Sequence, residues 1–262
     1  MTGSSRGMVV QERDLRLLRE LAVMRVADRE QAKVAAGFGS TTRTNVRLLK
    51  LVRAGLLQRF YVGTGGTKLK AVYAHSRKGA ALAGVPYRGP RRKPEEALIA
   101  DLFVEHQLAV NEVYCAVNHG SVPIADGAFR RWMTFHEPVS STVRLQPDGY
   151  FEIVTPGEVL AAFLEVDLGQ ERGPVWKKKV TQYLQLAVSG DFKRLFGEDR
   201  FRVLVLAPSE RRLHQIRKVV AATTPKVFWF ATQNAIRADG LFGPVWFRPL
   251  GERPQTLIAQ LP

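Results

Sequence analysis

The chain has 262 residues, of which 45% are hydrophobic, and this length and composition suit two ordinary globular domains. Residues 1–93 hold 20 Lys and Arg against 5 Asp and Glu, whereas residues 94–262 hold 19 of each, so the net charge of +15 lies entirely in the first third. The single cysteine, Cys115, excludes an internal disulfide and a cysteine-based zinc cluster, and no apolar run reaches the roughly 20 residues of a membrane span. We therefore expect a cytoplasmic protein with no membrane partner, whose basic third attracts a polyanion.

The basic third begins with two predicted helices. Leucines at helical spacing predict the first helix over residues 11–25. Asp28 is a predicted N-cap for a second, short helix over residues 29–36, which Gly37 ends.

A third helix is predicted after Ser40 or Thr41, with Val46, Leu49 and Val52 on its inward face. Thr, Asn and Arg at the start of such a helix can reach base edges, and Lys and Arg neutralise phosphates. The candidate DNA-binding residues of this helix are Thr42, Arg43, Asn45, Arg47 and Lys50.

Two short strands, residues 57–62 and 69–75, flank Gly65-Gly66 and predict a β-hairpin. Its candidate DNA-binding residues are Arg59, Lys68 and Lys70. Three helices followed by a basic hairpin resemble a winged helix-turn-helix domain. The resemblance implies that the third helix enters the major groove of double-stranded DNA while the hairpin touches the backbone or minor groove. The alternative is a solvated basic face on a small helical domain that binds only partner proteins.

Residues 85–94 form a predicted linker that is rich in proline and basic residues. Arg91 and Arg92 in this linker are further candidates for phosphate contacts. The predicted organisation is thus a DNA-binding domain over residues 1–84, the linker, and a second domain over residues 95–262.

The second domain is predicted to be α/β (α+β), with a mixed central sheet covered by helices. Its predicted elements, in the order αβββαβαβ, are a helix over 95–118, strands over 129–135, 143–154 and 159–168, a helix over 173–189, a strand over 200–207, a helix over 211–222 and a strand over 227–231.

Acidic residues cluster on the predicted strands of this domain. Asp148 follows Pro147 within a strand pair, and Glu165 and Asp167 stand two apart, so that strand alternation sends both to one face. Carboxylates gathered at the end of a buried strand are costly unless a cation joins them, and Mg²⁺ or Mn²⁺ suits such oxygen ligands. The alternative is that Asp148 only forms a turn and that the two later acids face solvent beside Arg172.

This layout resembles the PD-(D/E)xK nuclease superfamily, with an αβββαβ core. Pro147-Asp148 matches the first half of its signature and Glu165 the second, but Asp167 stands where the family usually has lysine. The resemblance implies that a helix acid, Glu112, completes the metal site and that the next helix supplies the lysine. The candidate residues on that helix are Lys179, which is the first choice, then Lys178, with Gln182 and Tyr183 one turn further on.

Residues 12–232 as a whole resemble the replication-relaxation family of plasmids and integrative elements, which joins a winged helix to a nuclease-like domain. The resemblance rests on residues 106–114, on Leu164-Glu165-Val166-Asp167, and on the lysine-bearing helix that ends in Gln182-Tyr183. It implies a role in DNA relaxation, replication or transfer.

The leading hypothesis is a DNA-binding, Mg²⁺- or Mn²⁺-dependent endonuclease or nickase of a mobile element, with no other cofactor. The second is an inactive accessory factor that uses the nuclease fold as a platform for DNA and other replication or transfer proteins. The third, a transcriptional regulator, predicts a small-molecule pocket in the second domain. The sequence leaves open whether the protein is a homodimer.

Overall fold

The computed structural model describes residues 8–63, 69–88, 97–98 and 102–258, with the backbone alone for residues 97–98. Two compact units divide the chain, Met1–Cys115 and Ala116–Pro262. Among the described helices none is both long and apolar enough to cross a membrane.

The first unit combines helices with a small sheet. Its elements are α1 (Glu12–Met24), β1 (Ala27–Asp28), α2 (Arg29–Ala36), α3 (Thr41–Arg53), β2 (Leu57–Gly63), β3 (Leu69–His75), α4 (Arg77–Ala83), β4 (Ala97–Leu98) and most of α5 (Leu102–His119). The sheet order is β1-β3-β2-β4, antiparallel except for β4, which pairs parallel with β2. The predicted order of three helices and two antiparallel strands is confirmed, whereas the short α4 was not predicted.

Capping side chains determine where α2 and α3 begin. Asp28 Oδ1 accepts a hydrogen bond from the backbone N–H of Gln31 at 2.8 Å, and Ser40 Oγ accepts one from Arg43 at 3.3 Å. These bonds satisfy N–H groups that have no partner within the helix. Gly37 ends α2 with a φ of 67°, a left-handed conformation that glycine adopts without strain.

The buried face of α3 differs from the predicted one. Thr44, Leu48 and Leu51 are buried, whereas Val46, which was predicted to face inward, is 51% exposed. Thr44 tolerates burial because its hydroxyl donates to Ser40 O at 2.7 Å, so its polar atom keeps a partner. The shift turns the face that carries Val46 toward solvent.

Helix α5 begins at Leu102 rather than near residue 95 and packs on α1 within the first unit. Asn111 Nδ2 donates to the carbonyl oxygens of Met24 and Val26, at 3.2 and 2.6 Å, and Tyr114 Oη donates to Glu20 at 2.7 Å. These contacts explain why the units divide within α5 rather than at the predicted linker. The predicted domain bounds of 1–84 and 95–262 remain predictions, and residues 89–94 of the linker lie outside the described part of the chain.

The second unit is built on a five-stranded sheet. Its elements are β5 (Ala128–Met133), β6 (Gly149–Thr155), β7 (Glu158–Val166), α6 (Gly173–Val188), α7 (Asp191–Phe196), β8 (Arg202–Ala207), α8 (Glu210–Ala221), β9 (Phe228–Thr232) and α9 (Gln233–Asp239). Strands follow the order β5-β6-β7-β8-β9; the first three are antiparallel and the last three parallel. The predicted mixed α/β sheet is therefore confirmed, and the short helices α7 and α9 were not predicted.

The central strand β7 is buried along most of its length, as its continuous run of apolar residues favours. Phe163 on this strand packs against Tyr183 of α6 and Phe192 of α7, with ring centroids 5.6 and 5.9 Å apart. This aromatic core fixes α6 over the face of β7 that also carries Glu165.

The predicted strand over 143–154 is wrong in its first half, because β6 begins only at Gly149. Val139 N–H donates to Leu145 O at 2.8 Å, and Leu145 N–H donates to Val143 O at 2.8 Å, so this segment satisfies its backbone locally. Asp148 therefore stands just before the strand. Gly149 is required by close packing, since a Cβ there would lie 2.5 Å from the Trp132 ring.

Candidate functional site

The antiparallel pairing of β6 and β7 brings Asp148 to the end of β7. Gly149 pairs with Leu164, and Asp148 N–H donates to Leu164 O at 3.1 Å. The Asp148 carboxylate in turn accepts a hydrogen bond from Val166 N–H at 2.7 Å. Asp148 is thus held at the carboxyl end of a strand in the parallel part of the sheet, which is where open α/β sheets bind ligands.

Glu165 is buried near Asp148, and two side chains of α6 donate hydrogen bonds to its carboxylate. It is 1% exposed; its Oε2 lies 2.7 Å from Lys179 Nζ, and its Oε1 accepts a hydrogen bond from Tyr183 Oη at 2.6 Å. Lys179 and Tyr183 are four residues apart and so lie on the same face of α6. The structure thereby brings together Glu165 with two of the predicted residues of the next helix.

Lys179 bridges two carboxylates. Its Nζ lies 2.7 Å from both Glu165 Oε2 and Glu171 Oε1, and its side chain is 20% exposed. Burial alone would lower the pKa of Lys179, but the two carboxylates outweigh it and raise the pKa. The amine therefore stays charged at neutral pH.

Burial raises the pKa of Glu165 above the ordinary carboxyl range. The ammonium of Lys179 opposes this effect, and the nearby carboxylate of Asp148 adds to it. Glu165 is therefore a carboxyl whose charge depends on its neighbours, and a further cation beside Asp148 would favour its ionised form.

Asp167 is bonded differently from Glu165. It forms an ion pair with Arg212, whose Nε and Nη2 donate to its two oxygens at 2.9 and 2.6 Å. Trp176 Nε1 and Gly169 N–H donate to the same carboxylate at 2.9 and 2.6 Å. Burial would raise the pKa of Asp167, but these hydrogen bonds outweigh it and lower the pKa. The contacts with α6 agree with the predicted common face of Glu165 and Asp167, and the 1% exposure of both contradicts the alternative that they face solvent.

The other predicted residues of α6 do not join this group. Lys178 is exposed on α6, and Gln182 Nε2 donates to Arg144 O at 2.6 Å, in the segment before β6. Glu112 belongs to the first unit, on α5. Among the described residues, no group of three or more His, Cys, Asp and Glu could hold a metal ion. The predicted set of four metal ligands is therefore not assembled.

Three residues of this network were not predicted to have a role in the site. Glu171 lies in the loop before α6, Trp176 lies one turn before Lys179, and Arg212 lies on α8. The helical spacing of Trp176 and Lys179 could have indicated that Trp176 lies on the same face of α6 and belongs to the network. No sequence pattern links Arg212 to Asp167, because they meet only through the packing of α8.

Most of the predicted DNA-binding residues of α3 lie in solvent. The exposed ones are Thr42, Arg43, Asn45 and Lys50. Arg47 is an exception, because its guanidinium pairs with the fully buried Asp14 and donates to Val9 O at 2.8 Å. Only 13% of the Arg47 side chain is exposed, so it stabilises the packing of α3 on α1 instead of presenting a free charge.

Near the hairpin, Arg59 lies with its guanidinium carbon 5.3 Å from the centre of the Tyr61 ring and is half-buried. Lys70 forms an ion pair with Asp28 at 2.5 Å while its side chain remains 46% exposed. The other candidates, Lys68, Arg91 and Arg92, lie outside the described residues.

The comparisons with known proteins bear on this arrangement. The family model described as replication-relaxation matches residues 15–198, which run from within α1 to the end of α7 and include the acidic residues at the end of β7. The comparisons with curated proteins and with solved structures found no match. The family description points to a role in plasmid or mobile-element replication or relaxation. Because the match spans more than half of the sequence, the chain belongs to the replication-relaxation family.

Proposed function

We propose that the protein binds double-stranded DNA of a plasmid or mobile element and hydrolyses a phosphodiester bond with a metal-dependent site in its second unit. The observation that carries the proposal is the 2.7 Å contact between Lys179 Nζ and Glu165. This contact supplies a lysine to the acidic pair of Asp148 and Glu165. The strand that carries Glu165 has Asp167 at the position where PD-(D/E)xK nucleases usually have lysine. The order of α5 to β8 supports the same fold relationship, because it is αβββαβ with the short helix α7 added before β8.

The donor set suits a divalent cation held by two carboxylates. Asp148 is close enough to Glu165 for its negative charge to raise the pKa of Glu165. A cation held by both carboxylates would relieve this repulsion. Mg²⁺ is commonly held by one or two carboxylates, with water and phosphate oxygens completing its shell. Asp167 is unsuited to this role, because each of its oxygens already accepts two hydrogen bonds, whereas each oxygen of Glu165 accepts one and keeps a lone pair.

Each residue of the group has a distinct role in the proposed hydrolysis. A divalent cation at Asp148 and Glu165 would supply Lewis acidity toward the scissile phosphate and an activated water. Lys179 favours the ionised form of Glu165 and places a positive charge where negative charge grows on the phosphate. Tyr183 fixes the second oxygen of Glu165 through its hydroxyl, and Glu171 holds the Lys179 amine in position.

DNA delivery is assigned to the first unit, as a winged helix. Its net charge and the exposed Arg43, Asn45 and Lys50 of α3 support this role. Helix α3 would enter the major groove, with β2 and β3 forming the wing. The partner is therefore a DNA duplex, and the product is a nicked or cut strand.

A nicking assay tests the proposal. Supercoiled plasmid that carries the element's origin is incubated with the full chain and Mg²⁺ or Mn²⁺. We expect relaxed circles with the wild type and a loss of rate of about 100-fold or more with Asp148→Ala. Equal rates for the two proteins at matched folding would contradict the assignment.

A non-enzymatic platform is the second candidate function, and the direct ion pair of Lys179 with Glu165 favours it. That pair already neutralises the carboxylate without a metal. A platform predicts DNA binding by the full chain and no Mn²⁺ binding that depends on Asp148.

A further inference from the structure

The second unit contains a cavity of about 610 Å³ at the end of the sheet where β7 and β8 begin, away from Glu165. Its lining includes Leu160 near the start of β7, Arg202 at the start of β8 and Trp229 in β9. The acidic pair lies at the other end of β7. Leu160 and Glu165 are five positions apart on β7, a distance of about 17 Å at a rise of about 3.3 Å per residue. The cavity is therefore distinct from the proposed metal site.

Two arginines of this cavity contact the same indole ring, that of Trp229. The guanidinium carbons of Arg202 and Arg248 lie 4.8 and 4.5 Å from the centre of the Trp229 ring. Arg202 donates to the carbonyl oxygen of Leu257, and Arg248 Nη2 donates to that of Pro225 at 3.2 Å. These contacts position both guanidinium groups before any ligand arrives.

The two arginines carry more positive charge than their surroundings neutralise. Burial lowers the pKa of both Arg202 and Arg248, and the charge of Arg202 lowers that of Arg248 further. A guanidinium nevertheless stays protonated at neutral pH. Two like charges held close together in a half-buried cavity are relieved by an anion.

The acidic residues of the lining leave this charge largely uncompensated. Glu198 and Asp199 each form an ion pair with a basic residue outside the lining, at 2.9 and 2.8 Å. Glu158 reaches Arg202 only at 3.9 Å and is 56% exposed, so it contributes a weak, screened interaction.

We propose that this cavity binds an organic phosphate of nucleotide size through Arg202 and Arg248. Arginine forks match phosphate oxygens in a bidentate manner, which makes phosphate the anion that the pair fits best. A cavity of 610 Å³ falls within the range that holds drug-sized ligands, so it accommodates a nucleoside as well as its phosphate. The same chemistry is offered by a free nucleotide and by the phosphorylated end of a DNA single strand. The site does not depend on the proposed nuclease activity.

Calorimetric titration of the full chain tests this site. The probes are dTMP, thymidine, which lacks the phosphate, and a 5′-phosphorylated hexanucleotide. We expect dTMP to bind and thymidine to bind at least about 10-fold more weakly, since hydrogen bonds to charged groups contribute this much. Arg248→Ala should lower the affinity for dTMP by a similar factor, whereas Arg211→Ala, which removes an exposed charge on α8, should leave it unchanged.

Each outcome of the titration bears on the proposal. Binding of the hexanucleotide alone that depends on Arg248 would assign the site to a DNA end, and binding of dTMP would assign it to a free nucleotide. Thymidine binding as tightly as dTMP would overturn the proposal without any variant. So would the absence of binding by both phosphate probes, or unchanged affinities in a folded Arg248→Ala protein.

Discussion

Lys179 Nζ lies 2.7 Å from Glu165 Oε2, although the two residues are 14 positions apart and belong to different elements. The contact depends on α6 packing over β7, which the aromatic contacts of Phe163 and Tyr183 maintain. A lysine on a neighbouring helix thus lies beside the buried acid of β7.

Mn²⁺ affinity should depend on Asp148 and on pH. Burial raises the pKa of Glu165, so protons compete with the metal at lower pH, and the affinity should rise as pH increases through neutrality. Calorimetric titration of the full chain with Mn²⁺ at pH 6, 7 and 8 measures this. Asp148→Ala should bind at least about 10-fold more weakly. Asp126→Asn, which changes a carboxylate on an exposed turn, is the matched control. Equal Mn²⁺ affinities in the wild type and both variants would show that Asp148 is not a metal ligand.

The ion pair of Arg47 with Asp14 should matter for stability more than for DNA contact. Arg47→Ala leaves the buried carboxylate of Asp14 without its partner, so the free energy of unfolding should fall by about 3–5 kcal/mol. Urea unfolding followed by circular dichroism measures the change. Arg43→Ala removes an exposed arginine of the same helix and should cost less than about 0.5 kcal/mol. A similar small loss for both variants would contradict the buried ion pair.

DNA affinity should respond to the exposed residues of α3. Lys50→Ala should weaken binding to all duplex sequences alike and reduce the slope of log affinity against log salt by about 1, because one phosphate contact is lost. Asn45→Ala should instead weaken binding to the preferred site alone. Fluorescence anisotropy with a labelled duplex at several salt concentrations separates the two effects. Unchanged affinity in both variants would favour a basic face that binds protein partners.

The ion pair of Asp167 with Arg212 should make the free energy of unfolding depend on pH in the acid range. The folded-state pKa of Asp167 is lowered, so its contribution is complete above the unfolded value of about 3.9 and is lost as pH falls through the folded pKa. Asp167→Asn should therefore be less stable than the wild type at pH 7, and the difference should shrink below about pH 4. Urea unfolding between pH 3 and 7 checks this. A difference that stays constant with pH would show that the charge of Asp167 contributes nothing.

The sequence predicts the order of most elements because their apolar spacing and caps are local. Asp28 and Gly37 bound α2 by bonds within a few residues, and the apolar run of β7 is that of a buried central strand. The inner face of α3 was misplaced because Thr44 is buried with a satisfied hydroxyl, which hydrophobic spacing alone does not reveal.

The candidate site was predictable only in part. Strand alternation places Glu165 and Asp167 on one face, and helical spacing places Lys179 and Tyr183 together. Neither pattern indicates that Arg212 neutralises Asp167, because that contact joins two elements 45 positions apart through tertiary packing.

The rate of plasmid nicking by Lys179 variants tests the central claim most directly. We expect Lys179→Ala to slow Mn²⁺-dependent nicking by about 100-fold and Lys179→Arg, which keeps the charge, to retain more of the activity. Lys177→Ala, which removes an exposed lysine from the same helix, should nick as fast as the wild type. Thermal unfolding of each variant shows whether it is folded. Equal nicking by folded Lys179→Ala and Lys177→Ala, or no nicking by the wild type, would contradict the account.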